Sequence, residues 1–424
     1  MHFNVLVFPC GSEIGLEIHR SLKYSRHITL YGANSVDDHG RFIFENYIPD
    51  LPFFNQDNFI EYLKDIIKEY KIDAIYPAMD AVIAFLKDKE VDLGCKVIAP
   101  QKETTEICLS KSKTYHTLNG IVRTPKMFKS MEEVSTFPVF LKPDIGYGSR
   151  GAKKIDNVEE GRMHLNSFSN SLILEFLPGK EYTVDCFTNR HGELLYHGAR
   201  ERKRVANGIS VNTVPVKSND DEILKIVEKI NNRIKFSGAW FVQLKEDVNG
   251  QFSLLEIAAR LGGSSSLNRN LGVNFALLSI FDAFELDVDV FTNNYCIELD
   301  RALDNKYKLS IEYDTVYCDF DDCLILGEYV NTQLLLFLYQ CLNEKKRLVL
   351  VTKHEKDIHQ TLKERRLSEV FDEIIHISPQ DRKYQYMTEE KSIFIDDSHV
   401  ERKEAFSHLK IPVFAPDNVE CLIK

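Results

Sequence analysis

Two groups of residues in the sequence have the types and spacing that phosphate chemistry requires. The first is the strand-like run 137–143, which carries Lys142 near its end and leads into a loop with Gly146, Gly148 and Gly151. A polyphosphate needs a fixed cation beside backbone N–H groups that it can approach closely, and glycine removes the steric obstruction. For the loop taken alone, a glycine-rich hairpin without a ligand is the alternative.

Residues farther along the chain extend the first group. Gln243 precedes the turn Asp247–Gly250 and Glu256 follows it, and the Asn-Gly pair in that turn predicts a β-hairpin. Paired antiparallel strands can place Gln243 opposite Glu256, where both can share one magnesium-bearing triphosphate. Arg260 lies beyond the second strand and can neutralise the γ-phosphate or the species formed from it.

The second group begins with Asp319 and Asp321, after an apolar run that starts at Thr315. Their spacing of two residues projects both carboxylates in one direction at the strand end. Because neighbouring carboxylates repel each other, Mg²⁺ is the expected partner. In unequal environments, one carboxylate can attack phosphorus while the other transfers a proton. Further polar residues follow on or beside later strand-like runs: Thr352, Lys383 and Asp396, the last adjacent to Asp397.

Composition indicates the class of protein in which these groups occur. The chain has 424 residues, enough for about two to four domains. Its net charge of −11 argues against general binding to nucleic acid or to anionic membranes. We see no signal-peptide pattern, and the apolar runs are too short to span a bilayer. The nine scattered cysteines form no CxxC pair, which favours a reducing, cytoplasmic location.

Short apolar runs alternate with a helical pattern at the start of the chain. The runs predict strands at Phe3–Phe8, His27–Gly32, Asp73–Pro77 and Lys96–Ala99, and apolar periodicity predicts a helix over Asp57–Tyr70. This alternation predicts a parallel sheet covered by helices.

After residue 110 the pattern changes to longer strands separated by glycine-containing loops. The polar stretch Arg301–Asp314 separates this region from a second alternating pattern that begins at Thr315. We predict an α/β and α+β multidomain chain with domains at 1–108, 109–302 and 315–424 and a linker at 303–314. The predicted strands of the middle region are Val139–Lys142, Ser171–Phe176, Tyr182–Phe187, Ala239–Lys245 and Phe252–Ile257.

The ordered residues of the first group resemble the ATP-grasp superfamily, in its carbamoyl-phosphate-synthetase-like and amino-acid-ligase branch. The resemblance covers about residues 1–300. It implies a Rossmann-like pre-ATP-grasp domain at 1–108, an ATP-grasp domain at 109–302 with a lid at about 113–178, and ATP with Mg²⁺ (or Mn²⁺) as cofactors. The implied nucleotide contacts are Lys113 and Lys142 to the phosphates, the loop at Gly148 and Ser149, the backbone of Glu175, Phe176 and Leu177 to adenine, Glu181 to the ribose, and Gln243 and Glu256 to Mg²⁺.

In this family ATP phosphorylates a carboxylate, and an amine, or less often a thiol or other nucleophile, attacks the acyl phosphate. Relatives have a basic strand beside the substrate, so Arg202 and Arg204 are candidates to hold an acidic substrate; a solvated basic hairpin is the alternative. Gly263 belongs either to an anion-binding turn or to a tight bend. Ala258 stands where the family often has an asparagine metal ligand, so an inactive nucleotide site is a competing explanation.

The second group resembles the haloacid dehalogenase (HAD) superfamily over residues 315–424. The resemblance implies a HAD-like Rossmannoid domain in which Asp319 forms an aspartyl-phosphate and Asp321 is the acid/base. It further implies that Thr352 and Lys383 hold the phosphoryl group and that Asp319, Asp321 and Asp396 bind Mg²⁺, with Asp397 as an additional candidate ligand beside Asp396. Cys323 replaces the family's usual Thr or Ser, which weakens a local hydrogen bond. The short domain leaves little room for a cap, which suits a bulky substrate or one presented by another protein or domain.

These observations lead to the hypothesis of a bifunctional cytoplasmic enzyme, a carboxylate–amine ligase fused to a phosphatase. Its expected partners are small-molecule carboxylate, amine and phosphoester substrates, without nucleic acid or membrane; a homo-oligomer is compatible with the sequence. Two alternatives stay open. One is an ATP-dependent kinase or carbamoyl-phosphate-like synthetase that releases the phosphorylated species. The other is a nucleotide-sensing module without turnover.

Overall fold

The computed structural model of the chain describes residues 1–423, apart from 147, 149, 207, 217–219 and 303–304. The strands of the described residues form four larger sheets and one two-stranded hairpin. The helices in this part of the chain lack the length and apolar content that crossing a membrane requires.

The first domain is built around a parallel five-stranded sheet with strand order β3-β2-β1-β4-β5. Parallel sheets are covered on both faces, so their strands are apolar along their length; Val5, Leu6 and Val7 are fully buried in β1. The sheet confirms the parallel alternation predicted for this region. The strands are β1 (Phe3–Phe8), β2 (Ile28–Ala33), β3 (Asn46–Ile48), β4 (Ala74–Pro77) and β5 (Lys96–Val97).

Helices of the first domain lie on the sheet and lead into the next domain. The predicted amphipathic helix begins at Phe59 and buries Phe59, Leu63 and Ile66, which follow one another at helical spacing. The helices are α1 (Glu13–Leu22), α2 (Gly40–Ile43), α3 (Phe59–Tyr70), α4 (Asp80–Asp88), α5 (Glu90–Leu93), α6 (Lys102–Leu109) and α7 (Lys111–Leu118).

A small antiparallel sheet with order β6-β9-β7-β8 follows. Its core includes Met131, Leu141 and Ile155, which form a cluster separate from the other cores. A separate core lets this sheet act as a unit of its own. Its elements are β6 (Met127–Phe128), a 3-10 helix (Met131–Glu133), β7 (Val139–Pro143), β8 (Lys153–Ile155), α8 (Val158–Ser167) and β9 (Ser171–Glu175).

The central sheet is antiparallel with seven strands in the order β14-β13-β10-β11-β12-β15-β16. The turn predicted between its last two long strands forms, because Asp247 accepts hydrogen bonds from the backbone N–H groups of Asn249 (2.8 Å) and Gln251 (2.9 Å). The elements are β10 (Glu181–Thr188), β11 (Leu194–Ala206), β12 (Ile209–Pro215), α9 (Asp220–Arg233), β13 (Gly238–Glu246), β14 (Phe252–Ala258), α10 (Ser266–Asn270), α11 (Phe275–Ala283), β15 (Ile297–Arg301) and β16 (Asn305–Leu309).

The predicted linker differs from the structure, because β16 lies inside residues 303–314. This strand pairs with β15 in an antiparallel register. Tyr307 and Leu309 alternate along it and pack against the core of the C-terminal domain. The polar sequence hid this strand, since only one of its faces meets apolar side chains.

The C-terminal domain has a parallel five-stranded sheet with order β21-β20-β17-β22-β23, beside the hairpin β18-β19. The β17 strand is central, and its residues Val316 to Cys318 are buried. The elements are β17 (Thr315–Cys318), β18 (Ile325–Leu326), β19 (Tyr329–Val330), α12 (Thr332–Asn343), β20 (Arg347–Thr352), α13 (Ile358–Glu364), β21 (Glu373–His376), a 3-10 helix (Lys383–Tyr386), β22 (Ser392–Ile395), α14 (His399–Leu409), β23 (Val413–Phe414) and a 3-10 helix (Pro416–Leu422).

A buried arginine joins the three domains. The side chain of Arg269 in α10 is 2% exposed, and its Nε donates to Glu17 of α1 at 3.0 Å. Its Nη1 donates to the carbonyl of Asp417 (2.7 Å), and its Nη2 to the carboxylate of Glu420 (3.1 Å). Tyr307 of β16 also donates to Glu420. A buried charge is tolerated only when it is paired and hydrogen-bonded, so the three chain segments must stay together.

We expect Arg269→Ala to lower the stability of the assembled domains by about 3–5 kcal/mol, because Glu17 and Glu420 would remain buried without their cation. Chemical denaturation of the full chain, followed by tryptophan fluorescence and circular dichroism, measures this change. The matched control is Arg162→Ala, which removes the exposed ion pair with Glu132 and should leave the transition unchanged. An Arg269→Ala protein that unfolds like the wild type would contradict the assignment.

Candidate functional sites

A cleft of about 320 Å³ lies where the first domain, the small sheet and the central sheet meet. The residues that line it come from distant parts of the chain, so the cleft exists only in the folded state. Charged and amide side chains supply most of its chemistry. Those that line it are Glu13, Asp80, Lys111, Arg200, Arg202, Gln243, Glu256 and Arg260, together with Gly146, Gly148 and Gly263.

Gln243 and Glu256 are partners across the β13–β14 pair, as the hairpin pattern predicts. Lys142 on β7 lies behind them, where its Nζ donates to the carbonyl of Leu255 at 2.9 Å. Burial lowers the pKa of Lys142, while the negative charge of Glu256 opposes that shift. A carboxylate and an amide oxygen facing the same cleft are ligands that suit Mg²⁺. Ala258 supplies no oxygen, so this pair is the donor set on β13 and β14.

The lysine that enters the cleft from α7 is Lys111, which corrects the expectation for Lys113. Lys111 is buried, and its Nζ donates to the carbonyl of Asp144 at 3.2 Å. Lys113 is 59% exposed and lies 3.8 Å from Glu106. Two residues along an α-helix are separated by about 200°, so these two lysines point to opposite sides.

The start of α7 aims Lys111 at the glycine loop. Ser110 caps the helix by accepting from the N–H of Lys113 at 3.2 Å. Asp144, just after β7, accepts from the N–H of Ser112 at 2.7 Å. Burial lowers the pKa of Lys111, and Glu256 opposes the shift. The serine on each side of Lys111 is the local signal that favours it over Lys113.

The glycine loop is described in part. Gly148 lines the cleft and has φ of +62°, a backbone conformation that side-chain-bearing residues rarely adopt. Ser149, which was expected to contact the nucleotide, lies outside the described residues.

The connection between the small sheet and the central sheet contains Glu175, Phe176 and Leu177. The carboxylate of Glu175 pairs with Arg123 at 3.0 Å, so this side chain holds the connection in place. Leu177 is buried, and the ring of Phe176 lies 5.6 Å from the Nζ of Lys154. The expected adenine contact is the backbone of this connection, which joins β9 of the small sheet to β10 of the central sheet.

Glu181 at the start of β10 does not line the cleft itself but contacts Arg202, which does. Its carboxylate pairs with Arg202 and lies 3.5 Å from the Nζ of Lys245. Arg202 also donates to Gln243 Oε1 at 3.2 Å and to the carbonyl of Gly208 at 2.6 Å. The guanidinium of Arg202 therefore links Glu181, the expected ribose contact, to Gln243, an expected metal ligand.

Arg204 does not reach the cleft, which corrects its assignment as a substrate ligand. It pairs with Asp300 at 2.8 Å on the far side of the sheet. The β11–β12 register shifts between Arg202 and Arg204, so the alternation of faces is broken there. Arg200, which the prediction left out, is buried in the cleft wall and donates from Nε to Asp185 at 2.7 Å.

Arg260 lies across the cleft from Glu256 and contacts the first domain. Its Nε and Nη2 donate to the two carboxylate oxygens of Asp80, each at 2.8 Å. Burial opposes the charge of Arg260, but Asp80 outweighs burial and raises its pKa. Gly263 lies against the carboxylate of Glu13, so a side chain at this position would displace that carboxylate. Neither Asp80 nor Glu13 has a sequence pattern that marks it as part of this cleft.

A second charged site lies at the carboxyl ends of β17 and β22. These strands are neighbours in the sheet, so Asp319 and Asp396, which follow them, lie side by side. The Nζ of Lys383 lies 2.6 Å from Asp319 Oδ1 and 2.6 Å from Asp396 Oδ2. Burial and the charge of Asp396 raise the pKa of Asp319, and Lys383 opposes this shift.

Thr352 and Asp321 complete the surroundings of this lysine. Thr352 ends β20 and is fully buried, and its Oγ1 accepts from the N–H of His354 at 3.2 Å. Asp321 is 50% exposed, and the Nδ1 of His354 lies 2.9 Å from each of its carboxylate oxygens. Cys323 is buried, with its Sγ 3.7 Å from the carbonyl of Ile395. The carboxylate of Asp321 is therefore open to solvent and has His354 as its neighbour.

The carboxylate cluster contains three of the four expected candidates for metal binding, including Asp397. Among the described residues, ligand atoms of Asp319, Asp396 and Asp397 lie within 4.8 Å of one another, and Asp321 is outside this group. Burial, followed by repulsion from Asp396 and Asp322, raises the pKa of Asp397 to about 6. A hard divalent cation would offset this repulsion, and three carboxylates are suitable ligands for it. The carboxylate of Asp321 contacts His354 instead of the cluster.

Calorimetric titration of the full chain with Mn²⁺, without nucleotide, tests this correction. We expect Asp397→Asn to weaken binding by about 10-fold or more, because it removes one ligand charge. Asp321→Asn should change the affinity by less than about twofold, since its carboxylate lies outside the cluster. The opposite ranking of the two variants would restore the set predicted from the sequence.

Parts of the chain are similar to known proteins. Residues 167–298 match a family described as ATP-grasp in the biosynthetic pathway with Ter operon. A D-alanine–D-alanine ligase of Fusobacterium nucleatum is 26% identical over 159 residues, which cover 34% of this chain and 54% of the ligase. The chain thus spans about half the length of that curated relative.

Solved structures are similar over a larger part of the chain. The biotin carboxylase domain of Hydrogenobacter thermophilus 2-oxoglutarate carboxylase, solved as a dimer with MgADP, ADP and bicarbonate, has a TM-score of 0.60 at 17% identity and covers 71% of this chain and 75% of that one. An L-amino acid ligase from Bacillus licheniformis has a TM-score of 0.56 at 16% identity, with coverages of 71% and 79%. These likenesses show the ATP-grasp fold, and together with the family match they support the ATP-grasp ligase family.

Proposed function

We propose that residues 1–302 form an ATP- and Mg²⁺-dependent carboxylate–amine ligase that works through an acyl phosphate. The observation that carries this proposal is the convergence of Lys111, Gln243, Glu256 and Arg260 on one cleft, while the buried Lys142 is bonded to the backbone next to Glu256. Two cations and a pair of oxygen ligands match the needs of a magnesium-bearing triphosphate. The ligases and carboxylase to which the chain is similar support the same assignment.

Each polar group of the cleft has a role in this reaction. Lys111 and Lys142 offset the negative charge of the triphosphate, and the glycine loop offers backbone N–H groups to it. Gln243 and Glu256 hold the magnesium ion, which when bound polarises the phosphate oxygens. Glu181 accepts hydrogen bonds from the ribose hydroxyls. Arg202, which lies between Glu181 and Gln243, then orients the bound nucleotide.

The ligase reaction needs the carboxylate to become a better electrophile. A carboxylate oxygen attacks the γ-phosphorus and ADP leaves, which yields the acyl phosphate. The amine nitrogen then attacks the carbonyl carbon, orthophosphate leaves, and the nitrogen loses a proton. Arg260 stabilises the transferring phosphoryl group if it leaves Asp80 for it, an exchange of one anionic partner for another. Arg200 in the cleft wall adds positive charge near the acceptor side.

A panel of carboxylates, with and without amines, tests the ligase and separates it from the alternatives. The full chain should release ADP only when a carboxylate and an amine are both present. Lys111→Ala should reduce this rate by about 100-fold or more, because it removes a positive charge that stabilises the transferring phosphoryl group. Lys113→Ala is the matched control and should change it by less than about twofold.

The other outcomes identify a different function. ADP release with a carboxylate alone, without an amine, indicates a kinase or a synthetase that releases the acyl phosphate. Nucleotide binding without ADP release under any combination indicates a sensing module. Equal losses in Lys111→Ala and Lys113→Ala would contradict the cleft assignment.

We propose further that residues 315–424 form a HAD-type phosphohydrolase. A carboxylate oxygen of Asp319 attacks the phosphorus of a phosphomonoester, and the alcohol leaves with a proton from Asp321. Water, deprotonated by Asp321, then attacks the phosphorus and releases orthophosphate from the aspartyl group. Thr352 and Lys383 hold the phosphoryl oxygens. The supporting observation is the buried contact of Lys383 with both Asp319 and Asp396 on adjacent strands.

Hydrolysis of phenyl phosphate by the full chain in Mg²⁺ tests this second activity. Asp319→Asn should lower the rate by about 1,000-fold or more, because the attacking oxygen becomes part of a neutral amide. Glu369→Gln, an exposed change in the same domain, controls for purification and should keep wild-type activity. Equal rates in Asp319→Asn and the wild type would exclude the proposed nucleophile.

A further inference from the structure

A cavity of about 450 Å³ lies between all three domains and shares Asp397 with the C-terminal site. Cavities of this volume hold small organic ligands. The wall next to the charged site is formed by Asp397, His399 and Arg402 of the C-terminal domain. The opposite walls come from Arg26 of the first domain and from Phe281 and Phe291 of the middle region.

Arg26 lies in the loop between α1 and β2 and extends to the C-terminal site. Its Nη1 lies 2.6 Å from Asp322 Oδ2. Arg26 thus contacts the residue that directly follows Asp321, the proposed acid/base. A guanidinium has five N–H groups in a planar fork, and more than half of the Arg26 side chain is exposed. Arg26 can therefore bind a second anion while it keeps Asp322.

The loop that carries Arg26 is held against the C-terminal domain. Tyr24 in the same loop donates a hydrogen bond to Gln333 of α12. The three-way junction at Arg269 fixes α1, which precedes the loop, to the last 3-10 helix. A cation anchored in this way keeps a defined distance from the carboxylate cluster, as recognition of one ligand requires.

Aromatic groups form part of the remaining walls, beside aliphatic side chains and the carboxylates of Asp287, Asp289 and Asp417. The rings of His27 and Phe281 lie 5.6 Å apart, and those of Phe291 and His399 lie 5.1 Å apart. These walls suit the carbon skeleton of a ligand, whereas Arg26 suits an anionic substituent.

We propose that the first domain is the substrate-recognition cap of the C-terminal site, with Arg26 as its specificity-determining residue. The substrate class is a phosphomonoester with a bulky organic body that carries a second anionic group. The phosphoryl group enters the carboxylate cluster, the body fills the interdomain cavity, and the second anion pairs with Arg26. This inference rests on the proposed phosphohydrolase, which it deepens by naming the substrate class.

Kinetics with a matched substrate pair test the proposal. The full chain is assayed with phenyl phosphate and with the 2-, 3- and 4-carboxyphenyl phosphates, each of which differs from phenyl phosphate by one carboxylate. The wild type should prefer at least one carboxylated isomer. Arg26→Gln should reduce kcat/KM for that isomer by about 10-fold or more, mainly through KM, because a charge-assisted hydrogen bond is lost. Its kcat/KM for phenyl phosphate should change by less than about twofold.

The matched control is Arg41→Gln, because Arg41 is also exposed, lies in the first domain and pairs with an aspartate. It should leave both substrates unaffected. Asp322→Asn separates recognition of the substrate from support of the loop. If the Arg26–Asp322 pair has a purely structural role, Arg26→Gln and Asp322→Asn should each reduce kcat/KM equally for both substrates. Equal losses in Arg26→Gln, or a wild type without preference, would overturn the cap assignment while leaving the phosphohydrolase intact. Hydrolysis that does not depend on Asp319 would overturn the phosphohydrolase itself.

Discussion

The buried guanidinium of Arg269 is the interaction on which the arrangement of the domains depends. A charge removed from water must have its donors satisfied, and the partners of Arg269 come from α1, from the carbonyl of Asp417 and from Glu420. No single domain could satisfy this side chain. The free-energy cost of burying the Arg269 guanidinium therefore depends on how the first domain and the C-terminal sheet are placed. The cavity between them results from the same placement.

Both charged sites use an internal partner to stabilise groups that a ligand would otherwise bind. Arg260 is paired with Asp80, and Lys383 with Asp319 and Asp396. Pre-existing pairs reduce the cost of burying charge in the free protein. They also mean that binding exchanges one electrostatic partner for another, so its net free energy depends on how well the ligand replaces the carboxylate. The fold can thus keep strongly charged clefts without unpaired buried ions at these positions.

Patterns that are local in sequence predicted much of the fold. The alternation of strands and helices in residues 1–100, the Asn-Gly hairpin and the pairing of Gln243 with Glu256 depend on residues close to one another in the chain. Assignments that depend on the direction of a side chain were less secure. Lys113 and Arg204 lie outside the cleft because a helix rotates by about 100° per residue and because a bulge reverses a strand face. The strand β16 was missed, because the apolar core against which Tyr307 and Leu309 pack belongs to the C-terminal domain.

The sequence by itself determined the types of chemistry available to this protein, because the lysines, glycines and carboxylates of each group follow or precede apolar strands in a fixed order. It also determined which segments form parallel sheets, since hydrophobic periodicity is a property of neighbouring residues. Only the tertiary structure decided that Lys111 enters the cleft, that Asp321 lies outside the cluster of Asp319, Asp396 and Asp397, and that Arg26 contacts Asp322 beside the second site. Those choices depend on contacts between segments far apart in the chain, whose geometry is set by packing and by the pairing of buried charge.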